Sequence, residues 1–286
     1  MTATPTGPDP GLAAVAVVLT HNAPESLDRC LRAIAAQTTP PQAVLVVDNA
    51  SSPPVDPSDA PPGCPPLLLV RSDHNGGPAG GYAIALARFL ATPYRHAWVL
   101  DDDMRPDPTC LERLWVVAAA HPGRAFVFPV SHQPDGGVGV WPSWCGFLIA
   151  REIVEEVGLP RPELFWWAED TEYLQWRIPA AGYPMRVVAD AAVHHDAIRQ
   201  GAGVPVWKYY YEARNMLWVH LYVKRRVGRY PRNVTKLLGR ALLREPEGRV
   251  ARLRAIGLGL HDGARGRLGT QFPIESMQER KGALPG

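Results

Sequence analysis

Paired cysteines, long apolar runs and a basic N-terminal segment are all missing from this sequence of 286 residues. The four cysteines, at positions 30, 64, 110 and 145, lack the paired spacing of a zinc site or a dense disulfide framework. No run of roughly 18 apolar residues occurs, so we expect no membrane-spanning helix. Residues 1–11 contain no basic residue, and the apolar run 12–19 is too short for a signal-peptide core. We therefore expect a cytoplasmic protein.

Charge is distributed unevenly, although the net charge is only +2. Residues 224–286 carry 15 Lys and Arg against 5 Asp and Glu, whereas residues 1–223 carry 15 against 23. With 46% hydrophobic residues, the chain can bury a substantial core. We predict one α/β domain over residues 12–226 and a basic helical C-terminal extension over residues 227–286.

Short aliphatic runs alternate with helix-like stretches, which is typical of an α/β domain with a largely parallel sheet. The predicted strands are 15–19, 43–47, 67–70, 97–100, 125–130, 145–150 and 185–188. The predicted helices are 26–37, a helix after Gly81, a helix from near Pro108 with Asp107 as N-cap, and 206–226.

One of the predicted strands ends in three consecutive carboxylates, Asp101, Asp102 and Asp103. Ligands of open α/β sheets bind outside the carboxyl ends of the strands. Because alternate residues of an extended segment point the same way, Asp101 and Asp103 could share one divalent cation while Asp102 points elsewhere. A solvated turn with helix-capping acids is the structural alternative.

Two further segments should lie near the same sheet edge. Asp48 follows the strand at 43–47, where an acid can accept hydrogen bonds from a base or ribose, or simply form a turn. Residues 75–81, Asn-Gly-Gly-Pro-Ala-Gly-Gly, open a helix-like stretch, and their glycines permit close backbone approach to a ligand. This segment matches neither the Rossmann nor the P-loop pattern, and a plain glycine-rich turn is the alternative.

Paired acids also follow bulky aromatic residues, in Trp166, Trp167, Glu169 and Asp170. A carboxylate in partly apolar surroundings has a raised pKa, which suits a general base. Ordinary acids in the first turn of a helix are the alternative. The tryptophans, together with Trp144, could offer flat faces to sugar rings or could simply belong to the core.

Two histidines, His194 and His195, end another short apolar run. A neutral imidazole could complete a cation site that the aspartates begin. A structural or exposed histidine pair is the alternative.

These motifs, in this order, resemble the inverting GT-A glycosyltransferases of family 2, especially the galactofuranosyl- and rhamnosyltransferase-like branch. The resemblance spans about residues 14–225 and rests on Thr20-His21-Asn22, Val47 to Ser51, Asn75 to Gly81, Asp101 to Asp103, Glu169-Asp170, the late histidine and Tyr210 to Asn215. Each motif alone is weak, whereas the ordered set is specific. The resemblance implies a GT-A fold, in which helices flank a Rossmann-like, mostly parallel central sheet.

The resemblance also implies a role for each residue. The donor, a nucleotide-diphosphate sugar of the UDP-galactofuranose or dTDP-rhamnose type, would contact Thr20, Asn22, Asp48, Asn75, Gly76, Gly77, Asp101 and Asp102. Mg²⁺ or Mn²⁺ would be held by Asp101, Asp103 and His195, with His194 as the second choice for the histidine. A glycan, lipid-linked or small-molecule acceptor would contact Trp144, Trp166, Trp167 and Glu169. Asp170 would be the catalytic base, and Arg214 would reach a phosphate.

In the implied reaction, the metal stabilises charge on the departing diphosphate while Asp170 takes the proton of the attacking hydroxyl, which inverts the anomeric carbon. Two other functions compete with it. A sugar-1-phosphate nucleotidyltransferase should carry a glycine-rich loop with Arg and Lys after its first strand, where this chain has Thr20 to Pro24. A non-catalytic nucleotide-sugar or glycan-binding module would not need Asp170. No nucleic-acid recognition motif accompanies the basic C-terminus.

The C-terminal extension contains a pattern typical of a basic amphipathic helix. Its apolar residues are Val234, Leu237, Leu238, Ala241 and Leu242, and its basic residues are Arg232, Lys236, Arg240 and Arg244. Such a helix can lie on the anionic inner face of a membrane and bring the chain to a lipid-linked acceptor, or it can pack its apolar face on the protein.

Overall fold

The computed structural model of the chain describes residues 13–196, 204–226, 228, 230–243 and 248–269. The chain divides into two compact units. The first consists of Met1–Pro160 with Tyr173–Ile198, and the second of Arg161–Glu172 with Arg199–Gly286. The domain boundary that we predict between residues 226 and 227 lies inside the second unit.

Among the described residues, the first unit forms one nine-stranded mixed sheet in the order β3-β2-β1-β4-β8-β6-β9-β5, with β7 paired to β6. Its strands are β1 (Ala14–Thr20), β2 (Ala43–Asp48), β3 (Leu67–Arg71), β4 (His96–Asp101), β5 (Met104–Pro106), β6 (Phe126–His132), β7 (Val138–Gly139), β8 (Cys145–Ala150) and β9 (Arg186–His195). Strands β1 to β4 run parallel, β8 joins antiparallel to β4, and β9 is parallel to β6. This arrangement confirms the predicted α/β fold.

Within the first unit, helices flank the sheet. Helices also make up most of the second unit. The α-helices are α1 (Pro24–Ala35), α2 (Gly77–Leu90), α3 (Cys110–Ala119), α4 (Arg151–Val157), α5 (Glu169–Glu172), α6 (Ile178–Ala180), α7 (Val206–Trp218), α8 (Tyr230–Leu243) and α9 (Arg249–Ala264). Pro57–Asp59 and Pro162–Leu164 form 3₁₀ turns, and Tyr173–Arg177 and Val219–Val223 are π-helical.

Burial explains why the predicted strands form. Every residue of β1, β2 and β8 is buried, as expected for strands covered on both faces. Helix α1 repeats its buried residues at helical spacing, so that one stripe packs on the sheet. These residues are Leu27, Cys30, Leu31 and Ile34.

Three helix predictions differ from the structure. Helix α2 begins at Gly77 and not after Gly81, since Gly77 takes φ +65° and Pro78 suits the first helical turn. Helix α3 follows Thr109, because the Asp107 carboxylate is bound to His194 instead of capping the helix. The long helix predicted over 206–226 ends as an α-helix at Trp218 and continues as the π-helical segment.

Helix α8 packs part of its apolar stripe inside the second unit, although Leu242 is 40% exposed. Leu237 and Ala241 are buried in a cluster with Tyr209, Tyr210 and Ile256 of the same unit. Among the basic residues of the helix, Arg240 is paired with Glu212, while Arg244 lies outside the described residues. Part of the apolar face thus packs within the second unit, as the packed alternative predicts, and contact of this helix with a membrane stays a prediction. None of the helices in the described part of the chain is long and apolar enough to cross a membrane.

Candidate active site

The predicted donor-site residues converge at one edge of the sheet in the first unit. In the parallel register, Thr20 lies beside Asp48 and Leu19 beside Asp101, so β1, β2 and β4 end together. Asp102 and Asp103 form a turn between β4 and β5, and the alternation expected of an extended segment therefore does not apply to them. The carboxylates of Asp101, Asp102 and Asp103 each form hydrogen bonds with a different part of the protein.

Asp101 is held from the core side of the turn. Its carboxylate accepts a hydrogen bond from the Tyr82 hydroxyl, and its backbone N–H donates to the carbonyl of Trp144 at 2.9 Å. The rings of Tyr82 and Trp144 stack with centroids 3.9 Å apart. Trp144 is only 3% exposed, so its ring packs in the core. This position differs from the prediction that Trp144 offers an open face to the acceptor.

Asp102 turns toward β1. Its Oδ2 accepts a hydrogen bond of 2.6 Å from the hydroxyl of Thr20, which is itself buried. Burial raises the pKa of Asp102 to about 7, although the Thr20 hydrogen bond acts in the opposite direction. Thr20 and Asp102 thus form a contact between two strand ends.

Asp103 faces His195. Its Oδ2 lies 3.0 Å from His195 Nε2, and His195 Nδ1 lies 3.0 Å from Gln133 Oε1. The Gln133 amide is oriented in turn by a 2.8 Å hydrogen bond from its Nε2 to Ser131 Oγ. The Asp103 hydrogen bond raises the pKa of His195, despite partial burial of the ring.

His194 belongs to a different cluster, because neighbouring residues of a strand point to opposite faces. Its Nε2 lies 3.0 Å from Asp107 Oδ1, and its ring stacks on His132 with centroids 4.8 Å apart. His195 is therefore the histidine of this pair that contacts the acidic turn.

The Asp103–His195 pair has the features of a cation-binding site. Asp103 Oδ1 is buried and has no hydrogen-bond partner among the described residues, which leaves a desolvated carboxylate oxygen for a ligand. Carboxylate oxygens suit Mg²⁺ and Mn²⁺, which often take only one or two protein carboxylates beside substrate phosphates. In the described residues, no three His, Cys, Asp or Glu side chains are grouped closely enough to hold a metal. The candidate cation site therefore consists of Asp103 and His195, because the Asp101 carboxylate accepts a hydrogen bond from Tyr82.

Asp48 organises the loop after β2. Its Oδ1 accepts from the backbone N–H of Ser51 at 2.7 Å, its Oδ2 accepts from that of Val55 at 3.2 Å, and Arg71 forms an ion pair with it. Burial acts to raise the pKa of Asp48, but the hydrogen bonds from Ser51 and Val55 and the Arg71 charge lower it overall. Asn22 ties the same loop to β1 by accepting from the N–H of Ser52 at 2.7 Å.

Asn49 connects this loop to the glycine-rich segment, a role that sequence reasoning missed. Its Nδ2 donates to Asn75 Oδ1 and to the Gly77 carbonyl, each at 3.1 Å, and its Oδ1 accepts from Gly76 N–H at 3.0 Å. Asn75 Oδ1 also accepts from Gly77 N–H at 2.8 Å. The only sequence signal for this clamp was the Asp-Asn pair after the strand.

Asp170 lies in α5 of the second unit. Its Oδ1 accepts hydrogen bonds from the backbone N–H and, at 3.3 Å, the hydroxyl of Thr171. Burial raises the pKa of Asp170, while the Thr171 hydrogen bonds lower it. Its neighbour Glu169 is buried, and Glu172 pairs with Arg161 at 3.3 Å.

The aromatic residues before Asp170 remain partly open. Trp167 is 40% exposed, and the centroid of its ring lies 5.1 Å from the ring centroid of Trp166. Lys208 Nζ lies 4.9 Å from the Trp166 ring centroid. Arg214 is fully buried, and its guanidinium donates to the carbonyls of Glu163 and Leu164, so it does not reach out to a phosphate as the resemblance implied.

The sequence matches the model of Glycosyl transferase family 2 over residues 15–201. This match covers more than half of the chain. The sheet formed by the matched residues carries the acidic turn at the edge where the sequence predicts it. The chain therefore belongs to glycosyltransferase family 2.

Relatives agree with this assignment. The galactofuranosyltransferase GlfT1 of Mycolicibacterium smegmatis is 29% identical over 214 residues, which cover 63% of this chain and 70% of that protein. The crystal structure of S. aureus TarS with UDP-GlcNAc has a TM-score of 0.56 at 15% identity, covering 89% of this chain and 88% of that chain. Against a longer TarS chain, the match covers only 49% of that chain. The mannosyltransferase PcManGT of Pyrobaculum calidifontis, solved with GDP-Man and Mn²⁺, has a TM-score of 0.52 at 16% identity, covering 98% and 83% of the two chains. These solved structures share the GT-A type of fold with this chain.

Proposed function

We propose that the chain transfers a sugar, with inversion, from a nucleotide-diphosphate sugar to an acceptor hydroxyl. The observation that carries the proposal is the Asp103–His195 pair at the edge where β1, β2 and β4 end, with a buried carboxylate oxygen that no described residue hydrogen-bonds. Donors of the UDP-galactofuranose or dTDP-rhamnose type are favoured by the family motifs and by the similarity to a galactofuranosyltransferase. Complexes of the structural neighbours with UDP-GlcNAc and GDP-Man support a nucleotide-sugar donor.

Asp103 and His195 would hold Mg²⁺ or Mn²⁺, and Asp101 would become the third ligand by exchanging its Tyr82 hydrogen bond for the ion. Such an ion would supply positive charge that stabilises the departing diphosphate. The Mn²⁺ complex of the mannosyltransferase supports a divalent ion in this fold. Gln133 keeps the His195 ring in place by binding the nitrogen that does not face Asp103.

The donor nucleotide would lie along the loops that follow β1, β2 and β3. Asn22 and the Asn75–Gly77 segment form this surface, with the buried Asp48 holding the loop after β2, and the N-terminus of α2 at Gly77 favours a negatively charged group. Asp48 binds three protein donors, so it shapes the nucleoside site through the loop that it holds. Thr20 and Asp102 support the same strand ends.

Asp170 is the proposed base. Its unprotonated carboxylate takes the proton of the acceptor hydroxyl as that oxygen attacks the anomeric carbon from the face opposite the diphosphate. Trp166, Trp167 and Glu169 are the proposed acceptor contacts, with the exposed face of Trp167 available for a sugar ring. A glycan, a lipid-linked sugar or a small molecule would satisfy this arrangement.

A donor screen tests the function directly. Thermal shift of the chain with Mn²⁺ and a panel of UDP-, dTDP- and GDP-sugars should give one nucleotide class that stabilises it only with the metal. Product analysis separates the alternatives, since a glycosyltransferase releases nucleoside diphosphate and a nucleotidyltransferase exchanges pyrophosphate. A non-catalytic module would bind a donor and release neither product.

The metal proposal predicts a measurable effect of Gln133. Gln133→Leu removes the acceptor at His195 Nδ1 and should weaken Mn²⁺ binding by roughly 10- to 100-fold, as is typical when a partner of a metal ligand is lost. Titration of Mn²⁺ by electron paramagnetic resonance in the presence of UDP measures this. Gln175→Leu is the matched control, because Gln175 is exposed and its amide nitrogen donates to the Pro142 carbonyl at 3.2 Å. Equal Mn²⁺ affinities of the two variants would refute the role of Gln133.

The base proposal predicts the pH dependence of transfer. Because burial raises the pKa of Asp170, kcat/KM should fall as the pH drops through a value above the ordinary range of a carboxyl group. Thr171→Val removes a hydroxyl donor that favours the ionised carboxylate, so the acid limb should move to higher pH. An acid limb at the same pH in Thr171→Val and in the wild type would argue against Asp170.

Contact with a membrane, if the second unit makes it, would use exposed side chains at the ends of α8 and α9. Leu243 and Val250 are 82% and 80% exposed, and Arg249 and Arg254 are exposed nearby in sequence. Co-sedimentation with anionic vesicles that is lost in Leu243→Ser, Val250→Ser would support this surface. An intact chain that stays in the supernatant would remove it.

A further inference from the structure

We infer that α9 and the turn after it, residues 249–269, belong to the apparatus that positions Asp170, acting through Arg214 and Asn215 of α7. The inference rests on the proposed function, in which Asp170 is the base. It assigns to the C-terminal part of the chain a role in catalysis that a basic appendage would not have. Arg214, Asn215, Gly259 and Gly263 are positioning residues, since none of them is proposed to touch the substrate.

The segment before Asp170 has an unusual backbone. Phe165, Trp167 and Ala168 have φ values of +61°, +71° and +67°, although none of them is glycine. Side chains with a Cβ rarely adopt this left-handed region, and they persist there only when surrounding contacts hold them. Asp170 follows this segment after one residue, so whatever fixes the segment also fixes the start of α5.

Asn215 provides the first set of contacts. Its Nδ2 lies 2.7 Å from the Leu164 carbonyl and 2.8 Å from the carbonyls of both Trp166 and Trp167. Arg214 Nε donates to Asn215 Oδ1 at 2.7 Å, and Arg214 Nη2 donates to the Leu164 carbonyl at 3.0 Å. Both side chains are 0% exposed. Two adjacent residues of α7 therefore satisfy the carbonyl groups of the left-handed segment.

Helix α9 supports this pair at very short range. A Cβ on Gly259 would lie 2.3 Å from the Tyr210 carbonyl oxygen, and one on Gly263 would lie 2.5 Å from the Arg214 carbonyl oxygen. These distances are shorter than any tolerated contact, so only glycine allows the two helices to approach this closely. The Tyr210 hydroxyl also donates to Asp262 Oδ2 at 2.8 Å.

The turn after α9 closes the arrangement. The Gly269 carbonyl accepts a hydrogen bond from Arg214 Nη1, and the Gly269 N–H donates to the Glu163 carbonyl at 2.7 Å. The Glu163 carbonyl also accepts a hydrogen bond from Arg214 Nη2 at 3.1 Å. One turn thus binds both the arginine and the segment that the arginine holds, and a displacement of α9 is transmitted to the residues before Asp170.

Gly263→Ala in the full chain tests the inference, with Gly257→Ala as the matched control. The control has the same substitution in the same helix, but nothing lies within 4 Å of a Cβ at Gly257. Nucleoside diphosphate release from UDP-galactofuranose or dTDP-rhamnose, whichever the donor screen selects, gives kcat and KM. Gly263→Ala should lower kcat on the order of 10- to 100-fold, since small misplacements of reacting groups cost this much, with donor KM and Mn²⁺–UDP affinity unchanged. Gly257→Ala should match the wild type.

Tyr210→Phe provides a second, milder variant, because it removes only the hydroxyl, which donates to Asp262 of α9 and also interacts with Arg214. It should lower kcat in the same selective way and decides the question if Gly263→Ala does not fold. Normal kcat in Gly263→Ala, or in Tyr210→Phe where the first variant is unfolded, would overturn the inference provided that Asp170→Asn is inactive. Turnover retained in Asp170→Asn would instead show that the proposed base is wrong.

Discussion

Asp170→Asn is expected to abolish sugar transfer and to leave donor binding intact. Asparagine preserves the size of the side chain and its acceptor for Thr171, but it cannot take a proton from a hydroxyl. General base catalysis contributes about 10²- to 10⁴-fold to the rate, so kcat should fall by at least that order. Nucleoside diphosphate release measures the rate, and calorimetric titration of UDP with Mn²⁺ measures donor-site affinity.

Asp28→Asn is a suitable control for this substitution. Asp28 is a partly exposed residue of α1 paired with Arg32, and its replacement should leave both measurements at wild-type values. Near-normal turnover of Asp170→Asn would move the proton transfer to another group. Loss of nucleotide affinity together with loss of turnover would mean that the substitution damaged the fold and not only the base.

Asp103→Asn is expected to remove metal binding and, with it, most of the transfer activity. The substitution replaces a carboxylate by a neutral amide, at a position where the buried Oδ1 has no partner in the described part of the chain. Mn²⁺ affinity should fall by more than about 100-fold, because the loss of a supporting contact alone can cost that much. Electron paramagnetic resonance of Mn²⁺ with UDP present gives the affinity, and nucleoside diphosphate release gives the rate.

Asp107→Asn is the matched control, since Asp107 and His194 form an aspartate–histidine pair at the same 3.0 Å distance. The account predicts normal Mn²⁺ binding in Asp107→Asn and in His194→Gln. His195→Gln should behave like Asp103→Asn. The reverse result, with metal binding lost at Asp107 or His194, would show that the other histidine cluster holds the ion.

Much of the fold was predictable because parallel strands covered on both faces are continuous apolar runs. Val44 to Val47 and Ala97 to Leu100 are examples, and each ends at a polar residue of the sheet edge. The convergence of Asp48 and Asp101 followed from that topology alone. The distinction between His194 and His195 did not, because it depends on which face of β9 meets the acidic turn.

The remaining features depend on contacts between distant residues. Trp144 was expected on a sugar-binding surface, yet it stacks on Tyr82, 62 positions earlier in the chain. The role of Asn49 depends on Asn75 and Gly77, which only the fold brings to it. The family resemblance implied phosphate binding by Arg214, whereas Arg214 is buried against backbone carbonyls. No local pattern distinguishes these outcomes, because the same side chains suit either environment.

Metal-dependent release of nucleoside diphosphate from a nucleotide sugar tests the central claim most directly. The chain should be incubated with a panel of UDP-, dTDP- and GDP-sugars and a mixture of acceptor glycosides, with Mn²⁺ or with excess EDTA. The account predicts acceptor-dependent release from one donor class, which EDTA abolishes and added Mn²⁺ restores. Release that EDTA leaves unchanged would contradict the metal site, and a panel that yields pyrophosphate exchange instead of nucleoside diphosphate would contradict glycosyl transfer itself.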